Sequence, residues 1–375
     1  MSDLNKLKSF DFTNVILPTF DETISNRPWV LFGGDNLWPT HSVELYNWSA
    51  TNRAAINAKR DAVIGKRMLI DGQDTILMVN GHETLYDVFK KVAMDMVIHN
   101  GFSMNVIKRR DGNGISDMYH MDFSKLRSGK VNEYDFVKHY WYSSDWALIS
   151  KYKPRELPAF DLSDPDLEPS QVYYYKTYQP TQTYYPINDW IGGRMAVEID
   201  VSIMNYHLNN LRNHYSPSMF ISLNQGVGSE EEREQIFRHF EAAYSSTNQA
   251  GKLILNFADS KENEPTIVPI NNNNSDTFYT QINEIVLQKI LTAHRISIPE
   301  ILGIKTPGQL GTKDQIIEGY EHFLQTVIIP IQEKLIGEFE KLLFLRDGIR
   351  REITIVQNEI FPDEIVDKEV EGGQL

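Results

Sequence analysis

Cysteine is missing from all 375 residues. That absence excludes disulfides, thiolate metal sites, iron–sulfur clusters and a cysteine nucleophile together. Long apolar runs are missing as well: no stretch approaches the ~20 residues of a membrane-spanning helix. The polar start Met1-Ser2-Asp3-Leu4-Asn5-Lys6 lacks the apolar centre of a signal peptide. A soluble, cytosolic chain with no membrane contact is expected. Positive charge is also scarce, with 37 Lys and Arg against 51 Asp and Glu, a net charge of −14. Tight binding along a phosphate backbone draws its strength from Lys and Arg displacing counterions. Any contact with DNA is therefore expected to be loose.

Several catalytic signatures are lacking too. Gly65-Lys66, Gly129-Lys130 and Gly251-Lys252 are each followed by a residue other than Ser or Thr, and none has the upstream glycine of a phosphate-binding loop. Gly226-Val227-Gly228 is a lone glycine pair and reads as a turn. The ten histidines are scattered with no His-Glu-x-x-His. His207 and His214, seven apart, are too widely spaced for ordinary helical ligation. The run Asp161, Asp164, Asp166, Glu168 lacks the glycine of a calcium loop and reads as a solvated loop. No Gly-x-Ser-x-Gly elbow occurs. No metal and no cofactor are expected, and the chain is read as a non-enzyme. One enzymatic alternative stays open, a cytosolic enzyme with an unrecognised carboxylate site, because carboxylates cannot be paired from sequence.

What is present is an ordinary globular composition, 41% hydrophobic, in a chain long enough for two or three compact regions. Residues 1–26 show no sustained period. Apolar spacing predicts one helix over Ser42–Gly65 and another over Thr84–His99, stopped by Asn100-Gly101. Phe102–Arg110, Gly114–Phe123, Tyr134–Trp146 and Gln171–Tyr178 read as strands, with Lys153–Pro169 a long loop. The tyrosines at 173, 174, 175, 178, 184 and 185 lack interleaved cations, so packing or a subunit interface is favoured over base stacking. Beyond Gly192-Gly193 a helix is predicted over Arg194–Tyr215, about 30 Å long. Strands at Phe220–Leu223 and Leu253–Phe257 flank a helix started by the Ser229 and Glu232 capping box, a β-α-β module. A second long helix, Asp276–Arg295, has apolar residues on more than one stripe and so needs neighbours on two sides. After a loop rich in Pro and Gly, a last helix from Thr312 to about Leu345 contains Pro330, where a kink is expected. Glu352–Ile360 reads as a strand, and an acidic tail follows.

This order resembles the portal proteins of tailed bacteriophages, in particular the compact phage portal family. Local likenesses join it: Leu31-Phe32-Gly33-Gly34 and Trp38-Pro39 ahead of a helix, Asn248-Gln249-Ala250-Gly251-Lys252-Leu253-Ile254-Leu255 in the module, Ile298-Pro299-Glu300-Ile301-Leu302-Gly303, and Ile329-Pro330. The resemblance implies an α+β portal fold. Its parts are an N-terminal arm (1–26), wing (27–193), stem helices (194–215 and 276–296), β-α-β clip (216–275), tunnel loop (297–311), Pro-kinked helix (312–345), and a reduced crown or acidic tail (346–375).

The resemblance further implies a homo-oligomeric ring of about twelve subunits at a capsid vertex of the virion, assembled in the host bacterial cytoplasm. Through it double-stranded DNA is packaged and ejected, held weakly and without base readout. Terminase, head–tail adaptor and major capsid proteins are the implied partners. Another phage head or neck structural protein is the nearest alternative. The channel loop is expected at Gly303, Ile304, Lys305, Thr306, Pro307, Gly308, Gln309, Leu310 and Gly311, with Lys313 just after it. Partner docking is expected on the clip helix at Glu230, Glu231, Glu232, Arg233 and Arg238. Lys305 is the one cation inside the loop, read either as a transient phosphate contact or as half of a surface salt bridge. Substituting Lys305→Ala is expected to lower DNA retention in packaged particles; unchanged packaging and retention would remove the phosphate role.

Overall fold

The computed structural model describes residues 27–164, 168–213, 219–223, 229–231, 234–235, 238, 253–257, 275–304 and 313–358. The helix read across Ser42–Gly65 is two helices. Ser49 takes an extended conformation (φ −88°, ψ 116°), ending α1 (Trp38–Trp48), and its side chain accepts the Asn52 N–H to start α2 (Ala50–Ile64). A serine that caps so well favours a break over a continuous helix. α3 (Leu85–His99) begins at a Thr84 and Asp87 capping box and ends at Asn100, which adopts the left-handed conformation.

A central antiparallel sheet is formed by β2 (Gly101–Lys108), β3 (Ile115–Met121) and β7 (Ser170–Lys176) in the order β3-β2-β7. Its two faces follow from strand alternation. Register places His120 and Tyr173 beside Met104, and Met118 beside Val106. That face is covered by α3, through His120 Nε2 and Asp95 Oδ2 at 2.8 Å, and by α7 (Ile329–Asp347), where the Tyr173 hydroxyl donates to Glu338. The opposite face carries Met121, Val172 and Tyr174. It packs on a second sheet of β4 (Leu126–Ser128), β5 (His139–Tyr142) and β6 (Arg155–Pro158), with Tyr140 stacked on Tyr174 at 5.0 Å. The result is helices, sheet and sheet in three layers. β6 lies inside the stretch read as a loop, and β4 was not foreseen, because strands of three or four residues leave too little pattern to detect.

β1 (Arg67–Ile70) pairs antiparallel with β10 (Ile353–Val356), so the chain beyond α7 returns to the same compact unit. The acidic tail at 362–375 lies outside the described residues, as does the arm at 1–26. A second unit spans Glu198–Val286. It holds most of α4 (Arg194–Asn213), the parallel pair β8 (Met219–Leu223) and β9 (Leu253–Phe257), and the first part of α5 (Ser275–Ala293). A parallel pair requires a crossover, and helical residues at 230–231, 234–235 and 238 lie between the two strands.

The tyrosine cluster is largely core. Tyr185 stacks on Phe32 at 3.9 Å and Tyr174 on Phe123 at 5.6 Å. Beside them the buried Arg127 has no carboxylate; its Nε donates to Asn36 Oδ1, NH1 to the Leu126 and Ser124 carbonyls, and NH2 to the Asn36 carbonyl. Burial pulls its pKa down to about 10, so it stays charged at neutral pH. A planar fork fits these acceptors and an ammonium does not. Arg127→Lys is expected to destabilise this unit by about 2–4 kcal/mol, read as a lowered thermal unfolding midpoint; an unchanged midpoint refutes the reading.

Candidate functional site

Within the first compact unit, one charged cluster gathers residues next to the start of α4 and the end of α5. The chain enters α4 through a short 3-10 turn, Ile191–Gly193. A Cβ placed on Gly193 would lie 2.5 Å from the Ala293 Cβ, so only glycine allows the start of α4 to approach the end of α5 this closely. After Ala293 the chain reverses at Arg295, a non-glycine residue in the left-handed region (φ 57°), with Ile296 N–H bonded to the Leu291 carbonyl.

Asp189 gathers the charges. Its Oδ2 accepts Arg295 NH2 at 2.8 Å and Lys59 Nζ at 3.4 Å, and the Lys59 side chain is only 2% exposed. Burial opposes ionisation of Asp189, but the charges of Lys59 and Arg295 outweigh it and hold the carboxyl below its ordinary value. Burial also dominates at Lys59, pulling the ammonium down to about 8 against the attraction of Asp189. An ion pair alone would raise a lysine; desolvation wins here, and Arg295 adds to it. Next to this cluster His294, fully buried, faces Asn52 Oδ1 from Nε2 at 2.8 Å and stacks on Trp190 at 6.1 Å. Burial, reinforced by Lys59, keeps the imidazole neutral. Trp190 and Asn188 both donate to the Ile98 carbonyl, tying the approach to α4 onto α3.

From Arg295 the chain leads into the segment expected as the channel loop. Pro299–Leu302 form a 3-10 turn, and Gly303 at φ 74° closes it. Lys305, Thr306, Pro307, Gly308, Gln309, Leu310 and Gly311 lie outside the described residues, as does the side chain of Lys313. The two feet of the segment are described and touch: a Cβ on Gly319 of α6 (Lys313–Phe323) would fall 1.8 Å from Ile298 Cδ1. The kink expected at Pro330 takes the form of a π turn at Leu324–Ile328, where Ile329 N–H donates to the Leu324 carbonyl, and Pro330 occupies the first turn of α7. A proline ring crowds the carbonyl four residues back, here that of Thr326, and wider winding relieves it. Gln332 then donates to the Ala62 and Val63 carbonyls at 3.2 and 3.0 Å, capping α2.

Of the expected docking residues, Glu230 and Glu231 are exposed and helical, Arg238 pairs with Glu234 at 3.4 Å, and Glu232 and Arg233 lie outside the described residues. Asp161 Oδ1 accepts from Ser163, and among the described residues no group of three His, Asp or Glu could hold a metal. Asp166 and His214 are outside them. No described helix is long and apolar enough to cross a membrane. Sequence reasoning missed Lys59, Asp189, His294 and Arg295, which are brought together from more than a hundred positions apart and share no motif.

A family model described as phage portal protein matches residues 74–360. No curated protein sequence matches the chain. Solved structures do. The neck of an empty gene transfer agent (GTA) particle, computed with C6 symmetry, aligns at a TM-score of 0.55 and 13% identity over 84% of this chain and 83% of that one. The neck of the native particle, computed with C12 symmetry, aligns at 0.54 and 14% over 84% of each chain. At these identities the likeness is one of fold.

The Lys59 shift has a measurable sign. Folded chains release the proton from about pH 8, whereas unfolded chains keep it to about 10.4. The unfolded state holds more protons in that window, so stability rises with pH through it. In Lys59→Met that rise, on the order of 3 kcal/mol, is expected to vanish from urea unfolding followed between pH 7 and 10, while stability at pH 7 holds or improves. Persistence of the rise in the variant would assign it to another group.

Proposed function

This chain belongs to the phage portal protein family, and we propose on that footing that it is one subunit of a ring at a capsid vertex, through which double-stranded DNA is packaged and later ejected. The observation that carries the reading is the geometry just described. The start of one long helix and the end of another are tied at one cluster, and Ile298 and Gly319, on either side of a short segment that follows, touch ahead of a long helix interrupted by a π turn. In this reading α4 and α5 are the stem, the module between them is the clip, residues 297–311 face the DNA, and α6 to α7 back the loop. The chain 346–358, with β10 paired to β1, is part of the wing in this reading.

The net charge of −14 on each copy keeps the channel from gripping phosphates and lets DNA slide. Energy for packaging comes from a separate terminase ATPase, since this sequence carries no phosphate-binding loop motif. The exposed Glu230 and Glu231 suit the clip as the contact for terminase and adaptor proteins, and the wing meets the major capsid protein. The role is structural rather than catalytic, in the virion, after assembly in the host bacterial cytoplasm. A ring of twelve is the expected state, in line with the C12 symmetry of the related neck.

Negative-stain microscopy of the purified full chain tests this. Rings of twelve with a central hole are expected. Monomers or dimers at micromolar concentration would point to the enzymatic alternative, and solid or sixfold particles to another head protein.

A further inference from the structure

A closed ring of identical subunits needs a heterologous contact, in which one patch meets a different patch on the next copy. The first compact unit carries two patches suited to each other on its two outer layers. One is the tip of the hairpin between β4 and β5. Beyond the Val131–Val137 bridge, Tyr134 and Phe136 are each 69% exposed. The tip is held in shape: Asn132 Oδ1 accepts the N–H groups of Tyr134 and Phe136 at 3.0 and 2.9 Å, Asn132 N–H donates to the Phe136 carbonyl, and Asp135 sits at φ 60°. Two large aromatics held in water by a built turn are an expense without a partner. Glu133 and Asp135 flank them, exposed and with no ion pair among the described residues.

The other patch is a groove of about 610 Å³ between α7 and the segment leading into β10, lined by Lys341, Phe344, Arg350 and Arg351 with Asp71, Glu340 and Glu352. Phe344 is 46% exposed and the adjacent Ile349 58%. Most of the groove's acids are engaged within the subunit. Asp71 takes Arg351 at 2.9 Å and the Glu352 N–H, and Glu340 takes the Ile353 N–H. Arg350 is exposed with no carboxylate partner among the described residues. One patch thus offers aromatics and unpaired carboxylates, and the other the exposed Phe344 ring, with Ile349 beside Arg350, and an unpaired guanidinium, which also favours aromatic faces.

Their placement matters as much as their chemistry. The hairpin belongs to the sheet on one face of β3-β2-β7, anchored through Tyr140 and Tyr174. The groove belongs to α7, which covers the other face through Glu338 and Tyr173. Patches on opposite faces of one subunit cannot meet within it and propagate from copy to copy.

We propose that the hairpin tip 132–136 of one copy seats in the Phe344–Arg350 groove of the next. The inference rests on the ring reading above, and its test separates the two. The chain has no cysteine, so introduced thiols are the only ones. The double variants Phe136→Cys with Phe344→Cys, and Tyr134→Cys with Arg350→Cys, are assembled, treated with a short bismaleimide and run under denaturing conditions. A ladder extending beyond dimer in a double variant, absent from each single variant, is the expected result. Rings in the microscope with no ladder from either pair would overturn the contact and leave the ring standing. Dimers alone, or a crosslink confined to the monomer, would overturn it as well. Absence of rings from the parent chain sinks both readings. As a second measurement, Tyr134→Ser with Phe136→Ser should raise the concentration for half-assembly roughly tenfold or more without moving the subunit's thermal midpoint. An unchanged assembly concentration counts against the contact.

Discussion

Asp189 is the charge on which the arrangement of the long helices depends. It lies five residues ahead of α4, is bonded to Arg295 two residues past α5, and is bonded to Lys59 in the middle of α2. Three segments remote in sequence are therefore fixed at one oxygen. A bridge of this kind adds little net stability compared with an apolar replacement, but removing its anion alone would leave the buried Lys59 ammonium without its carboxylate, while the half-exposed Arg295 stays solvated. Its effect is geometric. It sets where α5 stops, and Arg295 turns there into a conformation that few non-glycine residues adopt.

α2 is the common support. It gives Lys59 to Asp189, Asn52 to His294 and its last carbonyls to Gln332, so both feet of the helix pair and the π turn are referred to one 15-residue helix. The π turn uses this support. Pro330 removes one N–H from the helix, and the extra residue wound into Leu324–Ile328 lets the helix continue instead of ending. Ile298 lies against Gly319 and Gln332 against α2, so the described residues before and after 305–312 are each fixed by packing contacts.

How much of this was legible in the sequence depended on whether the signal was local. Asn100 before a glycine, the apolar periods of α3 and α5, and the scarcity of Gly and Pro across α4 are local signals, and helices stand there. Ser49 is also local, but its capping role was overlooked because apolar residues continue at helical spacing on both sides of it. β1 escaped notice for a different reason: its four residues acquire strand character from β10, nearly three hundred positions away. The same holds for the site. Lys59 in a helix and Asp189 before a tryptophan carry no motif, and only the fold desolvates the lysine and gives the carboxylate two partners. The expected kink at Pro330 was sound in its chemistry, yet the sequence could not tell a bend from an inserted residue, since both relieve the same clash.

The acidity of the chain bears on the proposed channel in a way that joins these points. A ring of copies each carrying −14 repels DNA at long range, and its neighbours repel one another as well. Assembly then has to come from short-range contacts that bury apolar surface and pair the few available cations, because screening limits the repulsion to about 8–10 Å at cellular ionic strength. Lys59, Arg127 and Arg295 are already used inside the subunit. In the proposed ring, exposed cations such as Arg350 are among the groups able to meet a neighbour's carboxylate. In the proposed channel, the excess of negative charge that would let DNA slide would also favour subunit contacts in which a carboxylate meets a cation.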